Sequence, residues 1–374
     1  MQPTTEIDPR QTSTPHVKSW EPGQFFLSLL GLLVTLVVLW WGFLFLRGDF
    51  FPDAQNWFKA IFAIVWGVGG VASLFTVSNM LVEALPNDVR RRIQPYIFVG
   101  PGVAFLAWFL LIPLLRTFYQ SFFDASSTNF VGLDNYQSAF TDRQMLESFK
   151  NNLLWLVLGT GLCVVLGLLI AVLADRSSFE NFAKALIFLP MAISFVGAGV
   201  IFRFMFAYQP VDQPQIGVLN AVLVALGGQP QAWLAQEPWN TFFLIIVLVW
   251  MQTGYAMVLF SAALKGVPED LLEAARIDGA SEVQAFFGII IPLIKGTIIT
   301  VTTTIAIFTL KIFDVVIVMT GGQYGTEVVA TQFYRQFFTN RNFGYGSAIA
   351  IVLFIAVLPV MIYNLRQLRK TEAF

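Results

Sequence analysis

The sequence predicts an all-α integral membrane protein with eight transmembrane helices, and three observations carry that reading. Hydrophobic residues make up 56% of the 374 residues and charged residues only 12%, and the mean hydropathy of +0.70 is far from that of a soluble domain. Eight windows are long and apolar enough to cross a hydrocarbon core about 30 Å thick. Lysine and arginine also fall unevenly on the two sides of a chain divided in this way.

The windows are residues 25–46, 57–82, 96–118, 152–174, 183–207, 240–264, 292–318 and 344–365. The first is longer than a signal-peptide core, lacks a small-residue cleavage site and is soon followed by a second span, so it reads as retained. With both termini on the cytoplasmic side, Arg10, Lys18, Arg90 to Arg92, Arg176, Lys184, Lys265, Arg276, Lys295, Arg366, Arg369 and Lys370 lie inside. Arg47, Lys59, Arg116, Arg143, Lys150, Arg335 and Arg341 lie outside, which is the minority expected there. Trp40, Trp41, Trp57, Trp239 and Trp250 fall at or near span ends, where amphipathic rings favour the headgroup layer. This gives a tail at 1–24, two spans over 25–82, a basic linker at 83–95, a six-span core over 96–365 and a tail at 366–374.

Composition also excludes several chemistries. The 22 basic residues nearly cancel the 23 acidic ones, so no overall field favours nucleic acid. His16 is the only histidine and sits in a polar tail, which leaves neither a His/Cys metal cluster nor an acid-base dyad. Cys163 is the single cysteine, in an apolar run that suits a buried small hydrophobe. No G-x-x-x-x-G-K-[ST] phosphate loop is present, and no catalytic residue is expected in this chain.

Residues 265–291 are too many for a turn between two spans. In "GVPEDLLEAARIDGA", Pro268 suits a first helical position, and Glu269 and Asp270 suit the positive end of a helix dipole. Leu271, Leu272, Ala274 and Ala275 give a small apolar face. Gly279 fits a left-handed helix terminus, and Ser281 with Gln284 has capping-box spacing that opens a second helix running to Pro292. Physically, this is either an elbow that spaces two spans or a docking knob presenting Glu273, Arg276 and Asp278 to a cytoplasmic partner.

The motif Glu273-Ala274-Ala275, then Gly279, then Ile289-x-Ile291-Pro292 resembles the EAA motif of bacterial ABC importer permeases, with Ile291 where that family usually has leucine. "FVGLDNYQSAF", "FLPMAISFVGAGVIFRFMF", "TGGQYGTEVVATQFYRQFF" and "FGYGSAIA" extend the resemblance over residues 95–370, to the carbohydrate and glycerol-phosphate branch. The two extra N-terminal spans are similar to those of the larger permease subunit of the maltose importer, although residues 119–151 leave only a short external loop, and Gly321-Gly322-Gln323 lacks a proline frequent in the family.

The resemblance implies a permease subunit of the bacterial plasma membrane that imports a sugar or oligosaccharide, with glycerol-3-phosphate or a polyol as the alternative cargo. It implies a second permease subunit, two ATP-binding subunits that hold ATP and Mg, an extracytoplasmic binding protein and surrounding membrane lipid. No cofactor is expected on this chain. Glu273, Ala274, Ala275, Arg276, Asp278 and Gly279 would couple to an ATPase subunit. For the substrate path, "VWMQTGYAMVLF" puts Gln252 and Tyr255 three apart on one helical face beside Met251, with Thr304 and Phe308 on the next span. Tyr255 matches an aromatic sugar contact in the maltose permease, whereas Gln252 and Thr304 fit either a substrate contact or hydrogen bonds between helices. Lys311 and Asp314, three apart in the seventh window, fit either a mutual ion pair or a cavity lining. Arg203 is expected to snorkel, and Arg90 to Arg92 to set topology or meet lipid. An ion-coupled secondary transporter would show several buried carboxylates and inverted repeats, and only Asp314 is of that kind.

Overall fold

A computed structural model describes residues 21–48 and 55–371, helical nearly throughout. Among them the only extended pairing is an isolated bridge between Phe123 and Phe130. Most of the expected N-terminal tail, with Arg10, His16 and Lys18, lies outside the described residues, as do the side chains of Arg369 and Lys370. The chain forms two compact units, Met1–Leu114 and Leu115–Phe374.

In the first unit, α1 (Pro22–Arg47) and α2 (Asn56–Glu83) form a hairpin of apolar helices. Gly42 is buried where the two meet, and a Cβ there would stand 1.9 Å from Trp66 Nε1, so only glycine allows this approach. Most of helix α3 (Asn87–Gln120) also belongs to this unit. The expected basic linker is therefore mostly helix: Pro86 is its N-cap, and Arg90 pairs with Glu83 at 3.7 Å.

The second unit is organised around α9 (Trp239–Lys265), the most enclosed of the continuous spans, with 56% of its apolar window buried. Before it come α4 (Asp134–Thr141), α5 (Arg143–Asp175), the bent pair α6 (Glu180–Ala192) and α7 (Phe195–Met205), and the short α8 (Val218–Ala225). After it come α10 (Glu269–Ile277), α11 (Glu282–Leu293), α12 (Lys295–Leu310), α13 (Asp314–Met319), α14 (Val329–Tyr334) and α15 (Phe343–Thr371). Trp155, Leu244, Leu248, Phe202 and Val315 form one core cluster; Cys163, Met257, Phe260 and Ile305 form another. Cys163 is free and fully buried. Gly167 lets α5 lie directly on α9, since a Cβ there would be 2.5 Å from Ala256 Cβ.

Six windows are continuous spans and two are broken. The fifth window bends by 99° between α6 and α7. Pro190 opens a 3₁₀ turn there, and the Ser194 hydroxyl accepts from Gly197 N at 3.0 Å to start a new helix. The seventh window ends its helix at Leu310, because Asn152 Nδ2 of α5 donates to the Leu310 carbonyl at 3.1 Å in place of a helical partner. Helix α11 meets α12 at 69°. Trp250 lies in mid-helix rather than at a span end and packs edge-on against Phe202 at 5.2 Å. Arg203 donates to the Val318 carbonyl at 3.2 Å instead of reaching along a span.

Candidate functional site

A cavity of about 460 Å³ opens beside α9. Its walls are Met191, Ile193, Ser194 and Phe195 from the α6–α7 bend, Met251, Gln252 and Tyr255 from α9, and Thr304 and Phe308 from α12. The bend is what makes a wall here, because it replaces a helical face with extended chain at Ile193 and Ser194. The sharpest local constraint is Gly254, which sits on α9 between Gln252 and Tyr255. A Cβ on it would lie 2.4 Å from Ile187 O and 2.8 Å from Phe188 Cα.

Among the described residues, Gln252, Tyr255 and Thr304 make no side-chain hydrogen bond, although Gln252 is only 6% exposed. The neighbouring Thr303 takes the structural role instead, donating to Ile299 O at 2.8 Å and accepting from Asn364 at 2.6 Å. Buried polar side chains are ordinarily bonded, so the unbonded Gln252, with the part-exposed Tyr255 and Thr304 beside it, leaves groups with room for a ligand or water. None of the lining residues is charged.

Five of the seven expected path residues thus meet in one place, and two do not. Lys311 and Asp314 are not part of the lining and form no ion pair with each other. The helix ends between them, so their spacing of three no longer places them on one face. Lys311 is exposed, with Nζ 5.8 Å from the centre of the Phe308 ring, while Asp314 opens α13. The wall from Met191 to Phe195 was not anticipated, although Pro190 and Ser194 signal a helix stop and a new start.

The EAA segment folds as helix, glycine turn and helix. Pro268 is the N-cap of α10 rather than its first residue. Gly279 has φ +80, and the Ala280 amide donates back to Ala275 O at 2.9 Å, closing the terminus. Ser281 and Gln284 form the capping box of α11: the Ser281 amide donates to Gln284 Oε1 at 2.8 Å and Gln284 N donates to Ser281 Oγ at 3.3 Å. Ala275 is buried, whereas Glu273, Ala274, Arg276, Asp278 and Gly279 are exposed. Ile277 and Val283, which sequence reading passed over, stand 83% and 66% exposed beside them. Arg276 Nε donates to Glu282 Oε1 at 3.0 Å.

At the opposite end of α5 and α9, the loop from Gly321 to Glu327 is wound through positive φ at Gly321, Gly322, Tyr324 and Gly325. Amides from both helices hold it: Asn151 donates to Gly325 O at 2.7 Å and Glu327 O at 2.8 Å, and Asn240 donates to Tyr324 O at 2.6 Å. Glu327 is 7% exposed, and Arg335 stands 2.9 Å from its Oε1 but out of line for a hydrogen bond. Burial pushes the Glu327 carboxyl up to about 7, with Arg335 opposing and Glu147 reinforcing the shift.

Six continuous apolar helices and two broken ones, with a cavity along one break and an exposed helical elbow, are the features of a multi-pass membrane transport subunit. Its family follows from comparison with known proteins. The chain belongs to the binding-protein-dependent transport system inner membrane components, whose family model matches residues 163–370. It is 53% identical over 275 residues to the osmoprotective compounds uptake permease protein GgtC of Synechocystis sp., covering 74% of this chain and 99% of that one. It is 44% identical over 322 residues to the alpha-glucoside transport system permease protein AglF of Rhizobium meliloti, covering 82% and 96%. The fold matches a chain of a bacterial ABC transporter involved in alginate import with TM-score 0.65 at 22% identity, covering 76% of this chain and 97% of that one.

Proposed function

We propose that the chain is the permease subunit of a bacterial ABC importer for a neutral sugar, oligosaccharide or glycoside, and that it forms half of the path with a second permease subunit. The observation that supports the neutral cargo is the cavity: Gln252, Tyr255 and Thr304 offer unbonded amide and hydroxyl groups among apolar walls, with no charged side chain. A phosphate or carboxylate there would lose its water with no charged lining residue to replace it, at a cost of several kcal/mol, since Lys311 stands over the Phe308 ring and outside the lining. That argues against glycerol-3-phosphate as the cargo on this half of the path. The relative named for alpha-glucoside transport supports the same reading.

In this proposal the 269–282 segment faces the cytoplasm and docks on one of two ATPase subunits, which bind ATP and Mg. Exposed Ile277 and Val283 give that surface an apolar centre, and Glu273, Arg276 and Asp278 give it a charged rim. An extracytoplasmic binding protein delivers the cargo at the other end. Nucleotide-driven closure of the ATPases then shifts the bundle between inward-open and outward-open states.

The test is uptake by the full complex in liposomes with its binding protein, offered a neutral α-glucoside, a uronic acid and a glycerol phosphate. Preference for either charged solute would refute the reading. Gln252→Leu is expected to raise the half-saturating cargo concentration about two- to tenfold, the worth of one neutral hydrogen bond, with no loss of thermal stability because that amide has no partner in the chain. Docking is tested separately: Glu273→Arg with Ile277→Asp should release the ATPase subunits on purification, and full retention would overturn that assignment.

A further inference from the structure

Beyond the cavity and the elbow, a compact polar cluster ties three helices together at the end of the bundle that carries the 269–282 segment. Lys184 of α6 donates to Asp175 at the end of α5, to Glu180 one turn earlier on α6, and to Ser261 on α9. Ser261 in turn donates to Asp175 Oδ1 at 2.6 Å, which closes a ring. All three protons of the ammonium group are therefore in use. The side chains of Lys184, Asp175 and Glu180 are only 15%, 16% and 24% exposed, so water competes poorly for these bonds. Lys265, the last residue of α9, adds a second tie from α9 to Glu180.

The cluster sits between the elbow and the cavity wall. Helix α10 begins four residues beyond Lys265. Glu282, which opens α11, reaches Arg276 of α10 and, at 3.7 Å, Arg176 next to Asp175. That last pair is exposed on both sides, so it is a weak link beside the covalent one. From Lys184, α6 runs two turns to Met191 and the extended wall at Ile193 and Ser194, resting on Gly254 of α9.

We propose that Lys184 is a positioning residue of transport: it clamps the base of α6 to α5 and α9, so that displacement of the 269–282 segment reaches the wall at Met191 to Phe195 as movement of one rigid body. The proposal rests on the docking role assigned to that segment. Without the ammonium group, Asp175 and Glu180 repel each other in a half-buried site, α5 loses its tie to α6, and at this end α9 is tied to α6 only by the half-exposed Lys265–Glu180 pair.

The experiment uses the assembled importer in liposomes with its binding protein, and reads ATPase subunit retention, substrate-stimulated ATP hydrolysis and cargo moved per ATP. Lys184→Gln is expected to keep the ATPase subunits and their hydrolysis while cargo per ATP falls roughly two- to thirtyfold, the range of coupling changes from single residues along a packed route. Lys184→Arg should recover most of the loss. Asp175→Asn combined with Lys184→Gln should fall no further than Lys184→Gln alone, since both remove one interaction. Wild-type cargo per ATP in Lys184→Gln would overturn the proposal, and so would loss of the ATPase subunits, which would place the cluster's effect on docking. If Lys184→Gln does not assemble, Ser261→Ala decides, a lowered ratio supporting the clamp and an unchanged ratio refuting it. Failure of the docking reading is distinguishable, because it shows as ATPase retention in the Glu273→Arg and Ile277→Asp variant, whatever Lys184 does.

Discussion

Gly254→Ala should separate the two helices that shape the cavity. Its Cβ would meet Ile187 O at 2.4 Å and Phe188 Cα at 2.8 Å, where ordinary contact begins at 3.4 Å, so α6 and α9 must part by about 1 Å. The obstructing atoms are backbone, and no rotamer change relieves the clash. Overpacking of this kind costs about 1–3 kcal/mol, and a unit of this size loses about 2–4 °C in thermal midpoint per kcal/mol. The alanine variant should therefore melt several degrees lower in detergent. It should also transport poorly, because the displaced segment carries Met191 and Ile193 away from Gln252 and Tyr255. Gly161→Ala is the matched control: a Cβ there meets nothing within 4 Å, and alanine gains helix propensity. A Gly254→Ala variant that melts with the wild type and transports at the wild-type rate would show that the close approach does not shape the cavity.

Two further perturbations follow from the other end of the bundle. Asn220 is fully buried and uses all four of its bonding positions, donating to Ala207 O and Gln231 O and accepting from Gln231 N and Trp233 Nε1 at 2.9–3.0 Å. Asn220→Ala strands those partners and should cost about 2–4 kcal/mol, seen as a lowered midpoint and faster proteolysis between residues 207 and 233; an unchanged midpoint would refute the assignment. Glu327, with its carboxyl raised to about 7, is protonated in the folded protein at pH values where the unfolded chain has already ionised. Its favourable contribution is complete below the usual glutamate range and is lost as pH rises through about 7. The midpoint should accordingly fall between pH 5 and 8 in the wild type and less steeply in Glu327→Gln, and equal slopes would exclude Glu327 as the source.

Much of the fold was legible because lipid imposes simple demands on sequence. A span must be apolar for its full length, and the capping of Ser281 by Gln284 and the left-handed turn at Gly279 are local events written in a few adjacent residues. Helix breaks were harder. The stop at Pro190 and restart at Ser194 were visible in the chain but masked by the continuous apolar run from 183 to 207. The end of α12 at Leu310 has no local signal, because the group that satisfies its carbonyl, Asn152, is 158 residues away in sequence.

The candidate site divides in the same way. Gln252 and Tyr255 could be paired from their spacing on one helix, and Thr304 and Phe308 could be set beside them through family resemblance. Spacing also suggested Lys311 with Asp314, and there it misled, since a separation of three places residues on one face only where the helix is continuous. Whether Gln252 bonds to a neighbouring helix or faces a cavity depends on what stands opposite it, and that is set by the 99° bend and by Gly254.

By itself the sequence determined the class of protein, its spans and the EAA elbow, because hydrophobic length, charge bias and capping chemistry act over a few turns of chain. Only the tertiary structure decided which polar groups are left without partners and which are locked together. Gln252 is free and Lys184 is bonded three times because of side chains and backbone brought against them from other helices.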